Sequence, residues 1–134
     1  MPGYLSTLPS FLTWFPIAAG MLAVFLAILK QITPWPELRM IRAGNTAVAI
    51  AYSGSVLGYS LVLAAVMTSA LNRTDFLIWG LIGLLVQLTA LAVSRILLGR
   101  GLRERMEKGD LASAILMATI SLSAGILNAA TMIS

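Results

Sequence analysis

The sequence predicts an all-α polytopic membrane protein, with four transmembrane helices built as a parallel tandem repeat of a two-helix unit. Hydrophobic residues make up 59% of the 134 residues, charged residues 10%, and the mean hydropathy is +0.93, a balance suited to a bilayer rather than to water. Lys and Arg gather in two alternate loops between four apolar stretches. The chain also matches itself 65 positions along, where Phe11-Leu12-Thr13-Trp14 is answered by Phe76-Leu77-Ile78-Trp79.

The apolar stretches, roughly 10–32, 46–70, 76–98 and 111–133, each offer about 20 residues without an internal charge, enough to cross a hydrocarbon core about 30 Å thick. Helix is the expected form, because backbone polar groups must be satisfied within the bilayer and no alternating barrel pattern is present. The first stretch is preceded by no Lys or Arg and reaches its first cation at Lys30, the wrong flank for a cleaved signal, so residues 1–134 read as one mature membrane domain. Trp14, one turn inside that helix, is placed to anchor it at headgroup level, as Trp79 is for the third.

The second helix follows Gly44-Asn45, where glycine permits the turn and the Asn oxygen caps free N–H groups. It carries Gly54-Ser55-Val56-Leu57-Gly58, a GxxxG spacing that serves either dimerisation or packing within one bundle. The third helix bears Gly80, Gly83, Gln87 and Ser94 on one face. The fourth follows Gly109-Asp110 and carries Ala114, Ala118, Ser121, Gly125 and Asn128 at three- and four-residue steps. At about 1.5 Å per residue, Gln87 lies near mid-bilayer, level with Tyr59 and Ser121, with Asn128 nearer the far side. Gln87 is therefore expected to bond to Tyr59 or Ser121 as interhelical glue rather than to face lipid.

Eight of the nine Lys and Arg residues lie in two loops: Lys30, Arg39 and Arg42 in one, Arg95, Arg100, Arg103, Arg105 and Lys108 in the other. By the positive-inside rule both loops are cytoplasmic and both termini, with the 72–75 turn, lie outside. The pI of about 10.1 is thus a topology signal and not a nucleic-acid signal. The loops around Pro34-Trp35-Pro36-Glu37 and Arg103-Glu104-Arg105-Met106-Glu107-Lys108 read as solvated connectors with charges of both signs, open to a cytoplasmic peripheral protein. Arg42 and Asn45 before the second helix, and Lys108 and Asp110 before the fourth, form two candidate contacts for lipid phosphate at positive helix ends.

Laying residues 10–69 over 75–134 without a gap gives 15 identities in 60 pairs, where composition alone gives about 5 or 6. Among them are Trp14/Trp79, Gly44/Gly109, Ala47/Ala112 and Met67/Met132. Each unit holds two spans and returns to its own side, so the units are parallel. Leu22 and Leu63 stand where the second unit has Gln87 and Asn128, which confines the polar core to one half.

The chain has no Cys and no His, and so no disulfide and none of the usual soft or imidazole metal ligands; no cofactor is expected. Every acidic residue lies in a loop or at a helix end, which argues against an enzyme and against proton coupling through an intramembrane carboxylate of the kind used by small multidrug exporters. A non-enzymatic oligomeric scaffold meeting anionic lipid is the leading expectation. A passive channel or transporter subunit lined by polar faces of helices two to four is the alternative.

The runs Ile41-Arg42-Ala43-Gly44-Asn45-Thr46-Ala47, Asp75-Phe76-Leu77-Ile78-Trp79-Gly80, Gly109-Asp110-Leu111-Ala112 and Gly125-Ile126-Leu127-Asn128-Ala129-Ala130, with Gln87, resemble the YjfL-like family of small bacterial inner-membrane proteins (domain of unknown function 350). The resemblance covers nearly the whole chain. It implies a repeated two-helix unit, the bacterial inner membrane and, through genes neighbouring phage-shock-type proteins, a part in envelope maintenance and stress. It brings no catalytic residues. Thr131 stands where many relatives have Cys, which speaks against a thiol-based role.

Overall fold

The structure, a computed structural model, describes residues 2–133, with side chains from 8 to 132. Its helices are α1 (Pro2–Ile32), α2 (Glu37–Arg42), α3 (Thr46–Ser69), α4 (Arg73–Leu98), α5 (Leu102–Glu107) and α6 (Leu111–Ile133). Four stretches are long and apolar enough to cross a membrane: Leu8–Ile32, Thr46–Ser69, Arg73–Leu98 and Leu111–Met132. α2 and α5 are single short helices in the two basic loops.

Local chemistry sets the helix starts. Gly44 (φ 92°) and Gly109 (φ 82°) adopt left-handed backbone that other residues avoid, turning the chain into α3 and α6. Asn45 Oδ1 then accepts the Val48 N–H at 3.1 Å. Asp110 accepts the Ala112 N–H at 3.2 Å and the Ser113 hydroxyl at 2.7 Å. α4 begins at Arg73 rather than near 76 because Asn72 Oδ1 accepts the Asp75 N–H at 2.8 Å while the Asp75 carboxylate accepts the Leu71 N–H at 3.0 Å. This reciprocal pairing satisfies donors that the first turn leaves over.

α3 and α6 form the centre. Both run away from the basic end, so they lie parallel, and they meet backbone to backbone. A Cβ added at Gly54 would fall 2.6 Å from that of Ala118, and one added at Gly125 would fall 2.6 Å from Gly58 Cα. The GxxxG spacing is therefore occupied within the chain. α4 lies against both central helices, with Gly83 giving room to Val62 and Gly80 to Met21 of α1. Phe25, Leu29, Tyr59, Val62, Val66 and Phe76 are almost wholly enclosed among these helices. α1 is peripheral: 22% of its most apolar window is buried, against 50% for α3.

Apolar side chains on the outer faces, including Leu12, Leu57, Leu85, Ile96, Ile115 and Leu127, are exposed, as helices surrounded by lipid require. At the basic end Leu102 and Met106 of α5 and Trp35 of the first loop turn inward and join the core. Asn45 Nδ2 donates to the Met106 carbonyl at 2.8 Å, tying the start of α3 to α5.

Two glycine substitutions separate close approach from mere helicity. Gly125→Ala forces α6 away from α3 and should lower stability by about 1–3 kcal/mol in reversible unfolding in detergent. Gly20→Ala, where a Cβ meets nothing within 4 Å, should be neutral or stabilising by up to about 1 kcal/mol. Equal stability for the two variants would remove the α3–α6 contact from its central place.

Candidate functional site

Two polar regions stand out, one within the spans and one at the basic end. Within the spans, Gln87 is 1% exposed and its Nε2 donates to the Ser121 carbonyl at 3.2 Å. The Ser55 and Ser121 hydroxyls are 3.4 Å apart. Tyr59 does not join Gln87: its hydroxyl donates to the Gly80 carbonyl at 2.8 Å, with its ring 4.9 Å from that of Phe25. Gln87 Oε1 and Asn128 Nδ2 are buried without a partner among the described residues. The structure thus brings Gln87, Ser121 and Ser55 together and leaves Tyr59, bonded at Gly80, and Asn128, beside Gly83, outside that group.

The tryptophans differ in setting. Trp14 is half-buried, its ring 5.6 Å from that of Phe76, and it helps join α1 to α4. Trp79 is exposed on the outer face of α4.

At the basic end, Arg42, Asn45, Lys108 and Asp110 are not gathered into two equivalent contacts. Asn45 and Lys108 line an open hollow of about 930 Å³ together with Arg39, Arg103 and Glu107, whereas Arg42 lines a different hollow beside α1. The Asn45 and Asp110 side chains are engaged in capping. Hydrogen bonds from Ser113 and Ala112 and the nearby Arg105 hold the Asp110 carboxyl below its usual range, with partial desolvation opposing them. Arg103 pairs with Glu107 at 3.0 Å on the surface, and Arg105 is turned to the Leu98 carbonyl at the end of α4.

The second hollow, about 780 Å³, corrects the reading of Pro34-Trp35-Pro36-Glu37 as a solvated connector. Trp35 is 4% exposed and Glu37 9%. The chain bends at Pro34 and Trp35, where the proline rings fix the backbone φ, and the bend turns the indole under the bundle. Arg95, near the end of α4, holds it there: Nη1 donates to the Ile32 carbonyl and Nη2 to Thr33 Oγ1, both at 2.9 Å, and the guanidinium lies 5.6 Å from the Trp35 ring centre. Thr33 in turn hydrogen-bonds the Glu37 carboxyl. The lining runs from apolar Leu26 and Ala27 through Tyr52 to Lys30, Arg39 and Arg42.

Burial pushes the Glu37 carboxyl up to about 7, against the weaker opposing pull of Arg95 and of the Thr33 hydrogen bond. Among the described residues no Lys or Arg nitrogen comes within 4.0 Å of it. Sequence reasoning missed this group because each member looks ordinary in isolation. The available signal was a tryptophan between two prolines, two residues before an acid, in a loop otherwise rich in cations.

The chain has no His, and burial sets Glu37 to titrate near neutrality. Its folded value exceeds its unfolded one, so the folded state keeps a proton that the unfolded chain has released between pH 4.5 and about 7. Stability should fall as pH rises through that window, by about 1–2 kcal/mol after solvent screening, and level off above it. Thermal unfolding of Glu37→Gln across the same range should be flat, and a slope matching the wild type would remove Glu37 as its source.

No solved structure matches the chain. It is similar to the UPF0719 inner membrane protein YjfL of Escherichia coli strain K12 and of Escherichia coli O157:H7, each 36% identical over 128 residues and covering 96% of both chains. The family model described as Domain of Unknown Function (DUF350) matches residues 3–132. Four candidate spans and this kinship over nearly its full length make the chain a multi-pass inner-membrane protein belonging to the DUF350 family.

Proposed function

We propose that this protein is a non-enzymatic membrane scaffold whose basic end lies at the cytoplasmic face, with both termini on the opposite side. Anionic lipid headgroups gather around its cations, and it assembles with further copies and with a peripheral cytoplasmic protein in maintaining the envelope. The observation that carries the reading is the division of polar groups. Within the spans Gln87, Ser55, Ser94 and Ser121 are buried among the helices, whereas Arg39, Arg103 and Lys108 stand exposed around one open hollow. Such cations attract anionic headgroups by about 1 kcal/mol each, an attraction that salt screens. Because Gly54, Gly58 and Gly125 are engaged within the chain, self-association falls to the exposed apolar faces of α1 and α4.

A two-fold relation between the halves supports the duplication read from the sequence. α2 and α5 begin at Glu37 and Leu102, and α3 and α6 at Thr46 and Leu111, each pair 65 positions apart, with a left-handed glycine before each of the latter. The basic loops then fall on one side by parity.

In native mass spectrometry of detergent-purified protein, retention of phosphatidylglycerol over phosphatidylcholine should fall as salt rises. It should fall at least about fivefold in the combined Arg39→Gln, Arg103→Gln, Lys108→Gln variant. No preference in the wild type, and no crosslinked partner in membranes, would end the scaffold reading.

A channel or transporter subunit is the second reading, favoured by the unpartnered amide atoms of Gln87 and Asn128. Gln87→Leu separates the two. As scaffold glue, losing one hydrogen bond together with one unpartnered oxygen should change stability by about 1 kcal/mol or less and leave lipid retention unchanged. A changed ion or solute flux in proteoliposomes, with the fold intact, would instead favour the channel.

A further inference from the structure

The hollow beside α1 has a composition that the scaffold reading does not use. Its inner wall holds the carboxylate of Glu37, nine-tenths buried and without a close cation among the described residues. Its rim holds three cations, Lys30, Arg39 and Arg42. Trp35 closes part of the wall, with its indole N–H sealed away from the hollow. The remaining side, Leu26 and Ala27, belongs to the last two turns of a membrane span, at the depth where acyl chains give way to headgroups.

From this arrangement we infer that the hollow binds an aminophospholipid headgroup. Its primary ammonium sits at Glu37, its phosphate against Lys30, Arg39 and Arg42, and its acyl chains run along α1 past Ala27 and Leu26. A primary ammonium supplies the charge and N–H donors the buried carboxylate lacks. A phosphate answers cations that outnumber the single acid. The raised Glu37 carboxyl fits an unoccupied state in which a proton stands in for the ammonium. A headgroup without nitrogen leaves Glu37 facing phosphate, and one with a trimethylated nitrogen brings charge without N–H donors.

This inference does not rest on the scaffold reading, since it turns on discrimination by amine at Glu37 rather than by net charge, although Arg39 lines both hollows. The experiment is lipid competition on the full chain, delipidated in detergent and read by native mass spectrometry. Phosphatidylethanolamine, phosphatidylcholine and phosphatidylglycerol are supplied with matched acyl chains. One phosphatidylethanolamine should be retained at least about tenfold over phosphatidylcholine, because a site built around N–H donors rejects the analogue lacking them. Glu37→Gln should bring that ratio within about twofold. Lys30→Gln should weaken both lipids together and keep their ratio, and Glu104→Gln on the exposed face of α5 should change neither.

Equal retention of phosphatidylcholine, or an unchanged ratio in Glu37→Gln, would overturn the assignment of Glu37 as the amine reader. A soluble source of the same chemistry is tested by adding phosphoethanolamine: displacement at concentrations comparable to the lipid would overturn the membrane origin of the ligand. Loss of phosphatidylglycerol preference with salt and in a variant changing only Arg103 and Lys108, which line the other hollow alone, tests the scaffold reading separately.

Discussion

The architecture depends on the approach of two parallel helices to within backbone contact. Between helices in lipid there is no hydrophobic drive to association, so stability must come from packing surfaces that lipid cannot match. Glycine and alanine at Gly54, Gly58, Ala118 and Gly125 let α3 and α6 meet without intervening side chains. The groove that results is shallow enough for α4 to lie across it and bond to both neighbours, through Gln87 to the Ser121 carbonyl and through Tyr59 back to the Gly80 carbonyl. α1 then fills what remains, pressing Met21 and Phe25 against α4 and Tyr59.

The basic end is closed by a different logic. There the chain has water or headgroups at hand, yet it turns Trp35, Leu102 and Met106 inward as a lid and ties that lid with directional bonds. Asn45 reaches the Met106 carbonyl from the first half of the chain to the second, and Arg95 reaches the Ile32 carbonyl in the opposite sense. Arg95 is the more demanding of the two, since one guanidinium serves a carbonyl, a hydroxyl and an aromatic face at once. A lysine, with a single rotating ammonium, would not hold that planar arrangement.

The sequence made the spans legible because apolar length and loop charge report directly on a bilayer, and the helix starts legible because Gly-Asn and Gly-Asp pairs have few uses other than a turn and a cap. The buried setting of Gln87 was legible too, since a carboxamide at that depth leaves few alternatives to protein. Tertiary direction was not. Tyr59 and Gln87 lie at one depth, but helix rotation decides that Tyr59 meets Gly80, and composition is silent on rotation. The Glu37 hollow was hidden for a related reason: charge counting treats a loop as surface, and only the path imposed by Pro34 and Pro36 shows that this loop folds back under the helices.

The parallel pairing of α3 with α6 also bears on biogenesis. In an antiparallel hairpin, each new span meets its neighbour as soon as it leaves the insertion machinery. Here Gly54 and Gly58 wait while α4 and α5 are made, because the contacts that fill them come from residues 118 to 125. During synthesis α3 therefore stands with its glycine face toward lipid or toward a transient caretaker, and α4 has no Ser121 carbonyl to receive its carboxamide. The centre cannot close span by span; it closes once, when α6 arrives, and a ribosome that stalls before that point leaves an unpartnered face in the membrane for quality control to find.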